Sequence, residues 1–426
     1  MRPSKRGLRR ALAATVLASA GCGSAGGPRA PKTLDVLNWL TASSEKSALA
    51  ALFKVVQSRD PGVAITNAAQ DRSDVAQQEL ANEMAKGNPP DSFQVVSGSD
   101  LDSWVQKGAL EPLDSLAAAQ GWTSVIPAPV LQSVSSNGSL YGVPLDIERD
   151  NTLFYNKQVF AAHGLTPPAH VADVLTAAAA LKAAGVTYPL AVSASAGWTI
   201  ASQVFESVLV DQAGPDFYQA YLTGKKTADT PELRAALTTV SAMMNYANPD
   251  RTSTEWTAAV ARVCSGEAAI LILPDFVKGQ FAGDGCGPSA VSYVPMQPAA
   301  VPTFVFVSIT FELPNGAPHR DAAIQFLETV GSKAGQEAFN PIKGSIPART
   351  DADPRLFDQL SAQTLADFTA KDERLVPAYA ALTPPNFQTA INDALKNFVD
   401  PASDAAGRVD VVITSLTQNY AKLSQP

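Results

Sequence analysis

From Leu34 onward the chain alternates between short apolar runs and stretches of helical period, and this alternation restricts the fold most. Leu34 to Leu40 is strand-like, Asp60-Pro61-Gly62 interrupts a helical pattern, and Val63 to Thr66 begins a second apolar run. The apolar face of the helical pattern between the runs consists of Leu49, Leu52, Phe53 and Val56. Strand, helix and strand in this order predict a βα unit with a parallel sheet.

The same alternation covers the rest of the chain. Hydrophobic residues make up 46% of it, which excludes wholesale disorder. At about 150 residues per domain, 426 residues suffice for two or three domains. We therefore predict the α/β class, with two open-sheet lobes. Further helices are expected over 73–87, 171–184, 198–212 and 320–330, and further strands over 93–96, 141–145, 152–155, 188–193, 268–273 and 304–313.

The first 30 residues have the pattern of a bacterial export signal. Basic residues precede the apolar run Ala11–Ala20, and small residues follow it. This run is too short to span a hydrocarbon core of about 30 Å. The sequence therefore predicts an exported protein in which residues 1–21 are removed and residues 22–33 form a flexible tether.

Cys22 follows the segment Leu17–Gly21, which resembles a bacterial lipobox. The resemblance implies that Cys22 is acylated and that the lipid holds the protein on the outer face of the bacterial cell membrane. Ser19 departs from the pattern, which prefers a branched apolar residue at that position. Cleavage elsewhere, with loss of Cys22, is the alternative.

Removal of the signal leaves an acidic protein. Lys+Arg falls from 32 to 27 against 40 Asp+Glu, because residues 1–21 contain five basic and no acidic residues, and the net charge changes from −8 to −13. Such a surface repels nucleic acid and anionic headgroups. We expect no nucleic-acid partner, and membrane attachment would depend on the lipid.

Two cysteines remain beyond the anchor position. Cys264 and Cys286 are an even pair in a compartment that tolerates disulfides, so we expect them to be bonded to each other. Such a bond would contribute about 3 kcal/mol by constraining the unfolded chain. Two separate buried thiols are the alternative.

Signals for catalysis are weak. Gly21, Gly23 and Gly26 match a dinucleotide fingerprint in spacing, but no strand precedes them. The three histidines of the chain make neither a convincing zinc site nor a triad. A glycosidase needs two carboxylates that flank a sugar bond, and no such pair stands out. We predict that the protein is not an enzyme and needs no metal or cofactor, with an exported hydrolase as an alternative.

An ordered set of segments resembles the extracellular solute-binding proteins of carbohydrate ABC transporters. The set extends over about residues 34–360, and one segment reads Gly-Ala-Leu-Glu-Pro-Leu-Asp at 108–114. Two segments, Phe205–Leu209 and Phe339–Arg349, are most similar to the glucose- and mannose-binding branch. The other segments are Leu37–Thr41, Asp60–Val63, Pro89–Gln94, Leu140–Pro144 and Leu153–Lys157.

The resemblance implies a two-lobed, periplasmic-binding-protein-like fold with open, mostly parallel sheets and helices on both faces. Hinge strands would let the lobes close over a sugar, and the closed form would dock on the permease subunits of an importer. We expect a monomer. Crossings near 145, 300 and 341 give an N-lobe of 34–145 and 301–340 and a C-lobe of 146–300 and 341–426.

A sugar has an apolar C–H face and a rim of hydroxyl groups, so aromatic rings and carboxylate or amide groups at strand ends suit it. An acid at the position of Asp275 binds sugar hydroxyls in the family, which makes Asp275 the strongest candidate. Three candidates have an alternative role without a ligand. Trp39 would be a core residue, Glu45 would cap its helix, and Lys343 would solvate its loop. The candidate ligand residues are Trp39, Glu45, Gln94, Glu148, Asn151, Trp198, Trp256, Asp275 and Lys343.

Two positions depart from the nearest branch. Leu40 stands where that branch has a second tryptophan, and Glu148 stands where it often has histidine. We expect a monosaccharide such as glucose or mannose. A disaccharide, an amino sugar, a polyol and a non-sugar solute are the alternatives.

Overall fold

The computed structural model of the protein describes residues 32–195, 200–298 and 301–424. The strands are β1 (Lys32–Asn38), β2 (Val63–Ala69), β3 (Ser92–Val96), β4 (Ser135–Ser136), β5 (Ser139–Leu140), β6 (Gly142–Pro144), β7 (Glu148–Arg149), β8 (Thr152–Asn156), β9 (Tyr188–Ala191), β10 (Ala268–Ile272), β11 (Val291–Pro295), β12 (Thr303–Val307), β13 (Ile309–Glu312) and β14 (Arg374–Pro377). The α-helices are α1 (Ser43–Arg59), α2 (Ser73–Ala85), α3 (Ser99–Gln106), α4 (Asp114–Gln120), α5 (Ala128–Ser133), α6 (Lys157–Ala162), α7 (Val171–Ala183), α8 (Ile200–Leu222), α9 (Pro231–Met244), α10 (Trp256–Ser265), α11 (Val277–Gly283), α12 (Arg320–Val330), α13 (Lys333–Lys343), α14 (Gln359–Thr369), α15 (Tyr379–Leu382), α16 (Pro385–Val399) and α17 (Val409–Tyr420).

The two main sheets are open, as the α/β prediction requires. The first has the order β2-β1-β3-β13-β6, and the second has the order β11-β8-β10-β9. β1 pairs in parallel with β2 and β3, but β13 runs antiparallel to β3 and β6, and β8 runs antiparallel to β10 and β11. Each sheet thus contains a single reversed strand, β13 in the first and β8 in the second, and its other strands run in one direction, so the sheets are mostly parallel as expected.

Two separate hydrophobic cores define the two lobes. The first core takes its buried side chains from segments within 34–147 and 304–368. The second core takes its side chains from 153–296 and 376–416, together with Val305 and Leu360. Each lobe thus buries its own apolar surface, as independent α/β units do.

The chain changes core at three places. The first connection runs from Ile147 of the first core to Leu153 of the second. The second connection runs from Met296 back to Phe304 of the first core, and the third runs from Phe368 to Val376 of the second core. Residues 341–426 are expected in the C-lobe, but Ile346, Ala348 and Phe357 are buried in the first core. The segment stays with the first lobe because Ile346 and Ile147 exchange two backbone hydrogen bonds, of 2.7 and 3.0 Å.

The apolar run 304–313, expected as one strand, divides at Ser308. β12 pairs with β7 and β14 in a connecting sheet, whereas β13 joins the first sheet. The Ser308 hydroxyl donates to the Asp146 carbonyl oxygen at 2.6 Å, and the Ile309 N–H donates to the Asp146 carboxylate at 2.8 Å. These bonds hold the chain where it passes from one sheet to the other.

The N-terminal boundary differs from the expected tether. Lys32 and Thr33 belong to β1, where they pair with Val63 and Ala64 of β2. The export signal and Cys22 lie outside the described residues. Within the described ranges, every helix is too short or too polar to cross a membrane.

Candidate ligand-binding site

Trp39 and Gln94 meet where β1 ends against β3. The Trp39 N–H donates to the Gln94 side-chain oxygen at 3.1 Å, and the Trp39 side chain is half-buried. Gln94 is only 2% exposed, and its Nε2 has no hydrogen-bond partner within the described residues. A buried amide donor of this kind is costly unless something accepts from it. Gln94 is therefore suited to bind a ligand oxygen.

Glu45 caps the helix α1. Its carboxylate accepts from the N–H groups of Thr41 at 3.1 Å and Ala42 at 3.0 Å, which satisfies donors at the start of the helix. Burial raises the pKa of Glu45, and the nearby Lys343 ammonium opposes this rise. Glu45 therefore caps its helix, which is the alternative role expected for it. The same carboxylate interacts electrostatically with Lys343.

Lys343 lies at the centre of a buried ionic cluster. Its ammonium is 2.8 Å from the Asp146 carboxylate, forms an ion pair with Glu148, and lies 5.2 Å from the centroid of the Phe276 ring. Burial disfavours the charged lysine, but Asp146, Glu148 and Glu45 outweigh burial and raise the pKa of Lys343. Lys343 is fully buried, so it does not solvate its loop.

Glu148 is the second expected member of this cluster. Burial, the largest effect, raises the pKa of Glu148, while Lys343 lowers it and the charges of Asp146 and Asp275 raise it. The carboxylates of Asp146 and Glu148 thus share one ammonium. Sequence reasoning missed Asp146; its signal was its place between two strands at the first crossing.

Asp275 is fully buried and already has protein partners. Its carboxylate accepts from the Arg149 N–H at 2.9 Å and lies 2.6 Å from the Lys278 ammonium, which is also buried. The residue follows β10 and lies near Glu148, as their electrostatic coupling indicates. Any ligand bond would be additional to this internal ion pair.

Both polar atoms of the Asn151 side-chain amide are hydrogen-bonded within the protein. Its Nδ2 donates to the carbonyl oxygens of Met296 at 2.6 Å and Thr303 at 2.9 Å, and its Oδ1 accepts from the Val305 N–H at 2.9 Å. No amide hydrogen is left for a ligand, so the expectation of a cleft-facing Asn151 is not supported by this geometry. The residue instead ties two connecting segments together.

Trp256 reaches the cluster through Phe276. It begins α10, is half-buried and packs edge-on against the Phe276 ring, with centroids 5.4 Å apart. Phe276 in turn lies beside Lys343. Trp198, the other expected aromatic of the C-lobe, lies outside the described residues.

A disulfide joins the end of α10 to the segment after α11 in the structure. The Cα atoms of Cys264 and Cys286 are 5.5 Å apart. The bond spans the strand β10 and the helix α11, and it therefore braces the part of the second lobe that carries Trp256, Asp275 and Phe276.

A further pair of buried acids lies beside the first crossing. Glu206 of α8 accepts from the Tyr379 N–H at 2.7 Å and from the Tyr218 hydroxyl, and it shares a hydrogen bond with Asp150. Burial raises the pKa of both acids. Sequence reasoning missed this pair, although an acid inside the apolar run Phe205–Leu209 was a usable signal.

Comparison with known proteins supports the same architecture. The family described as bacterial extracellular solute-binding protein matches residues 41–337. An uncharacterised ABC transporter extracellular-binding protein of Pyrococcus horikoshii is 33% identical, covering 90% of this chain and 89% of its own. A probable sugar-binding periplasmic protein of Brucella melitensis is 29% identical, covering 79% of each chain.

Solved structures share the fold. The solute receptor AcbH, described as having an exclusive preference for β-D-galactopyranose, superposes with a TM-score of 0.80 at 16% identity, covering 92% of this chain and 97% of that chain. At this identity the likeness shows the two-lobed fold alone. The family consists of proteins that bind solutes rather than transform them, so the hydrolase alternative is not retained. The chain belongs to the bacterial extracellular solute-binding proteins.

Proposed function

We propose that the protein captures a sugar between its lobes and delivers it intact to the permease subunits of an ABC importer. A relative whose name describes a probable sugar-binding periplasmic protein supports this class of solute. We further propose that the lobes comprise 32–147 with 304–368 and 153–296 with 376–424, in line with the two cores.

The observation that carries the proposal is the cluster around Lys343. Lys343 ends α13 of the first lobe, and it lies beside Phe276 at the start of α11 in the second lobe. Carboxylates accept hydrogen bonds from sugar hydroxyls in pairs, and the nearby rings of Phe276 and Trp256 suit an apolar C–H face. Gln94 Nε2, which has no hydrogen-bond partner among the described residues, would add a donor for a ring or hydroxyl oxygen.

Close contact between the lobes favours a small sugar. A Cβ atom built on Gly279 of α11 would lie 2.1 Å from the Lys343 carbonyl oxygen, and one on Gly283 would lie 3.6 Å from the Ser43 hydroxyl of α1. Such close approach of the two lobes favours a ligand of one sugar ring. We therefore propose a monosaccharide such as glucose or mannose. An amino sugar is the second candidate, because three carboxylates surround the single Lys343 ammonium.

The test is thermal unfolding of the chain carrying Cys22→Ser in the presence of single compounds. D-glucose, D-mannose, D-galactose, D-glucosamine, maltose and sorbitol form the panel. A ligand at 100 times its Kd stabilises the folded state by about 2.7 kcal/mol. The hydrogen bonds and the stacked ring, after subtraction of the cost of association, give a binding free energy of about 8–10 kcal/mol. This corresponds to a micromolar or tighter Kd. The proposal fails if no compound at 10 mM, roughly ten-thousandfold or more above such a Kd, changes the unfolding temperature.

A further inference from the structure

The three segments that connect the lobes converge on one side chain, Arg149. Arg149 lies between Ile147 of the first core and Leu153 of the second, in the first connection. It is 0% exposed and is among the largest fully buried side chains of the described residues. A buried guanidinium requires partners on every side.

Within its own connection Arg149 Nε donates to Asn151 Oδ1 at 3.4 Å, and the other partners of the guanidinium come from the other two connections or beside them. From the second connection, Gln297 Oε1 accepts from the guanidinium at 2.8 Å and the Thr303 carbonyl oxygen accepts at 3.1 Å. From the third connection, Glu373 accepts at 2.8 Å, and Asp367, just before that connection, accepts at 2.9 Å. All three links between the lobes are thus joined through one planar group.

The Phe304 ring and the Asp275 carboxylate also hold Arg149 in place. The guanidinium carbon lies 4.6 Å from the centroid of the Phe304 ring, at the end of the second connection. The backbone of Arg149 holds Asp275, since the Arg149 N–H donates to the Asp275 carboxylate and the Arg149 carbonyl accepts from the Asp275 N–H at 3.0 Å. A planar guanidinium offers its donors at fixed angles. Its full set of bonds is therefore compatible with one arrangement of the three segments.

That arrangement is one in which the lobes touch. The helix α11 of the second lobe packs against the end of α13 of the first, and Gly98 of the first lobe would collide with the Ala381 carbonyl of α15 if it carried a Cβ atom, at 2.2 Å. Rotation of the lobes changes the angles between the three connecting segments. Such a rotation therefore breaks some of the hydrogen bonds of Arg149.

We propose that Arg149 is a positioning residue that sets the equilibrium between separated and closed lobes in favour of the closed arrangement. The inference rests on the proposed function only for its consequence, tighter apparent sugar binding. Arg149 acts without touching the ligand. It acts by holding the three connections in the geometry that belongs to lobe contact, so that a larger fraction of the protein is competent to bind.

The experiment measures the distance between the lobes without any ligand. Spin labels at Ala81→Cys on α2 and Ala235→Cys on α9, both exposed, report one lobe each in the chain carrying Cys22→Ser. We expect Arg149→Lys, which keeps the charge and loses the planar donors, to shift the distance distribution relative to the parent. Apparent sugar affinity should fall by about fivefold or more, as the closed fraction falls.

Arg251 provides the matched control. It is also buried, and within the described residues its guanidinium donates hydrogen bonds to the carbonyl oxygens of Asn248 and Val399, both within the second lobe. Arg251→Lys should leave the distance distribution unchanged. If Arg149→Lys does not fold, Glu373→Gln, which weakens one arm of the same network at a partly exposed residue, takes its place.

Two results would overturn the inference: superimposable distributions for the parent and both hinge variants, or an equal shift for Arg251→Lys. Because the distances are measured without sugar, this outcome is independent of the sugar panel. A panel without hits would remove the proposed function and leave the hinge result intact.

Discussion

A Cβ atom on Gly279 would lie 2.1 Å from the carbonyl oxygen of Lys343, so these two residues mark a place where the lobes touch backbone to backbone. No side chain fits between α11 and the end of α13. Gly279 lies within a helix, where alanine is favoured over glycine by about 1 kcal/mol. The close contact with Lys343, and not helix formation, therefore explains why a glycine occupies position 279.

Gly279→Ala should weaken sugar binding by about tenfold or more, because the closed arrangement is disfavoured. The stability of the ligand-free protein should change little, since the gain in helix propensity offsets the lost contact. Isothermal titration with the sugar found in the panel measures the effect. Gly287→Ala is the control, because its Cβ atom would have no neighbour closer than 3.9 Å. Equal affinities of the two variants would refute the role of this contact.

Asp275→Ala should destabilise the protein by about 3–5 kcal/mol, since it leaves the buried Lys278 ammonium without its partner. Loss of sugar binding in this variant alone would therefore not identify a ligand residue. The double variant Asp275→Asn with Lys278→Met removes the unpaired charge and should recover most of the stability. If Asp275 also binds a sugar hydroxyl, the double variant still binds at least about tenfold more weakly. Recovered affinity would exclude Asp275 from the site.

Glu312 should make stability depend on pH. It is fully buried in the first sheet, its Oε1 accepts from the Thr310 hydroxyl, and its Oε2 has no partner within the described residues. Burial raises the pKa of Glu312 well above 4.5, so the folded state binds a proton that the unfolded state releases. The contribution of Glu312 to stability is then fully present below pH 4.5 and is lost as pH rises through the raised pKa.

Glu312→Gln should therefore be more stable than the parent at pH 8, by about 1–3 kcal/mol, and the difference should shrink toward pH 4.5. Urea unfolding at a series of pH values measures this slope. Glu232→Gln, at an exposed position of α9, should leave the slope unchanged. A constant difference between Glu312→Gln and the parent across the series would show that Glu312 is not protonated by folding.

The chain carrying Cys22→Ser should contain no reactive thiol when it is unfolded without reductant, because Cys264 and Cys286 are bonded. Titration with a thiol reagent gives the count directly. Replacement of both cysteines by serine should cost about 2–4 kcal/mol of stability. Two reactive thiols in the unreduced chain would instead support the alternative of separate buried cysteines.

Acylation of Cys22 predicts a membrane-bound protein. Expressed in a bacterium with its own leader, the chain should fractionate with membranes and enter the detergent phase. Cys22→Ser should shift the protein out of the detergent phase, because the variant lacks the thiol that the lipid would modify. An equal distribution of the parent and the variant would support cleavage at a position other than Cys22.

Local patterns predicted the elements well where periodicity was regular. The helix expected over 320–330 is α12, Arg320–Val330, and the apolar face of Leu49, Leu52 and Val56 is buried in α1. The run 304–313 shows the limit of such patterns. Both of its halves are apolar and extended, so only the pairing partners of β12 and β13 separate them.

The candidate site was less accessible to sequence reasoning. Arg149 meets Asp367 and Glu373 across 218 and 224 residues, and Lys343 meets Asp146 across 197 residues. No periodicity links positions so far apart. The family resemblance brought Lys343, Glu148 and Asp275 to attention, but it did not indicate that each already has an ionic partner. For Asn151 it gave no warning that the whole amide is used in joining the connections.

The division of one apolar run at Ser308 has a mechanical consequence. A single residue separates β12, which runs through the sheet that links the lobes, from β13, whose Phe311 is paired with Gln94. A twist of the linking sheet is therefore transmitted directly to the strand beside Gln94, whose Nε2 has no hydrogen-bond partner among the described residues. With the role proposed for Gln94, ligand binding and lobe rotation are mechanically coupled, and we expect a substitution that stiffens one of them to alter the other.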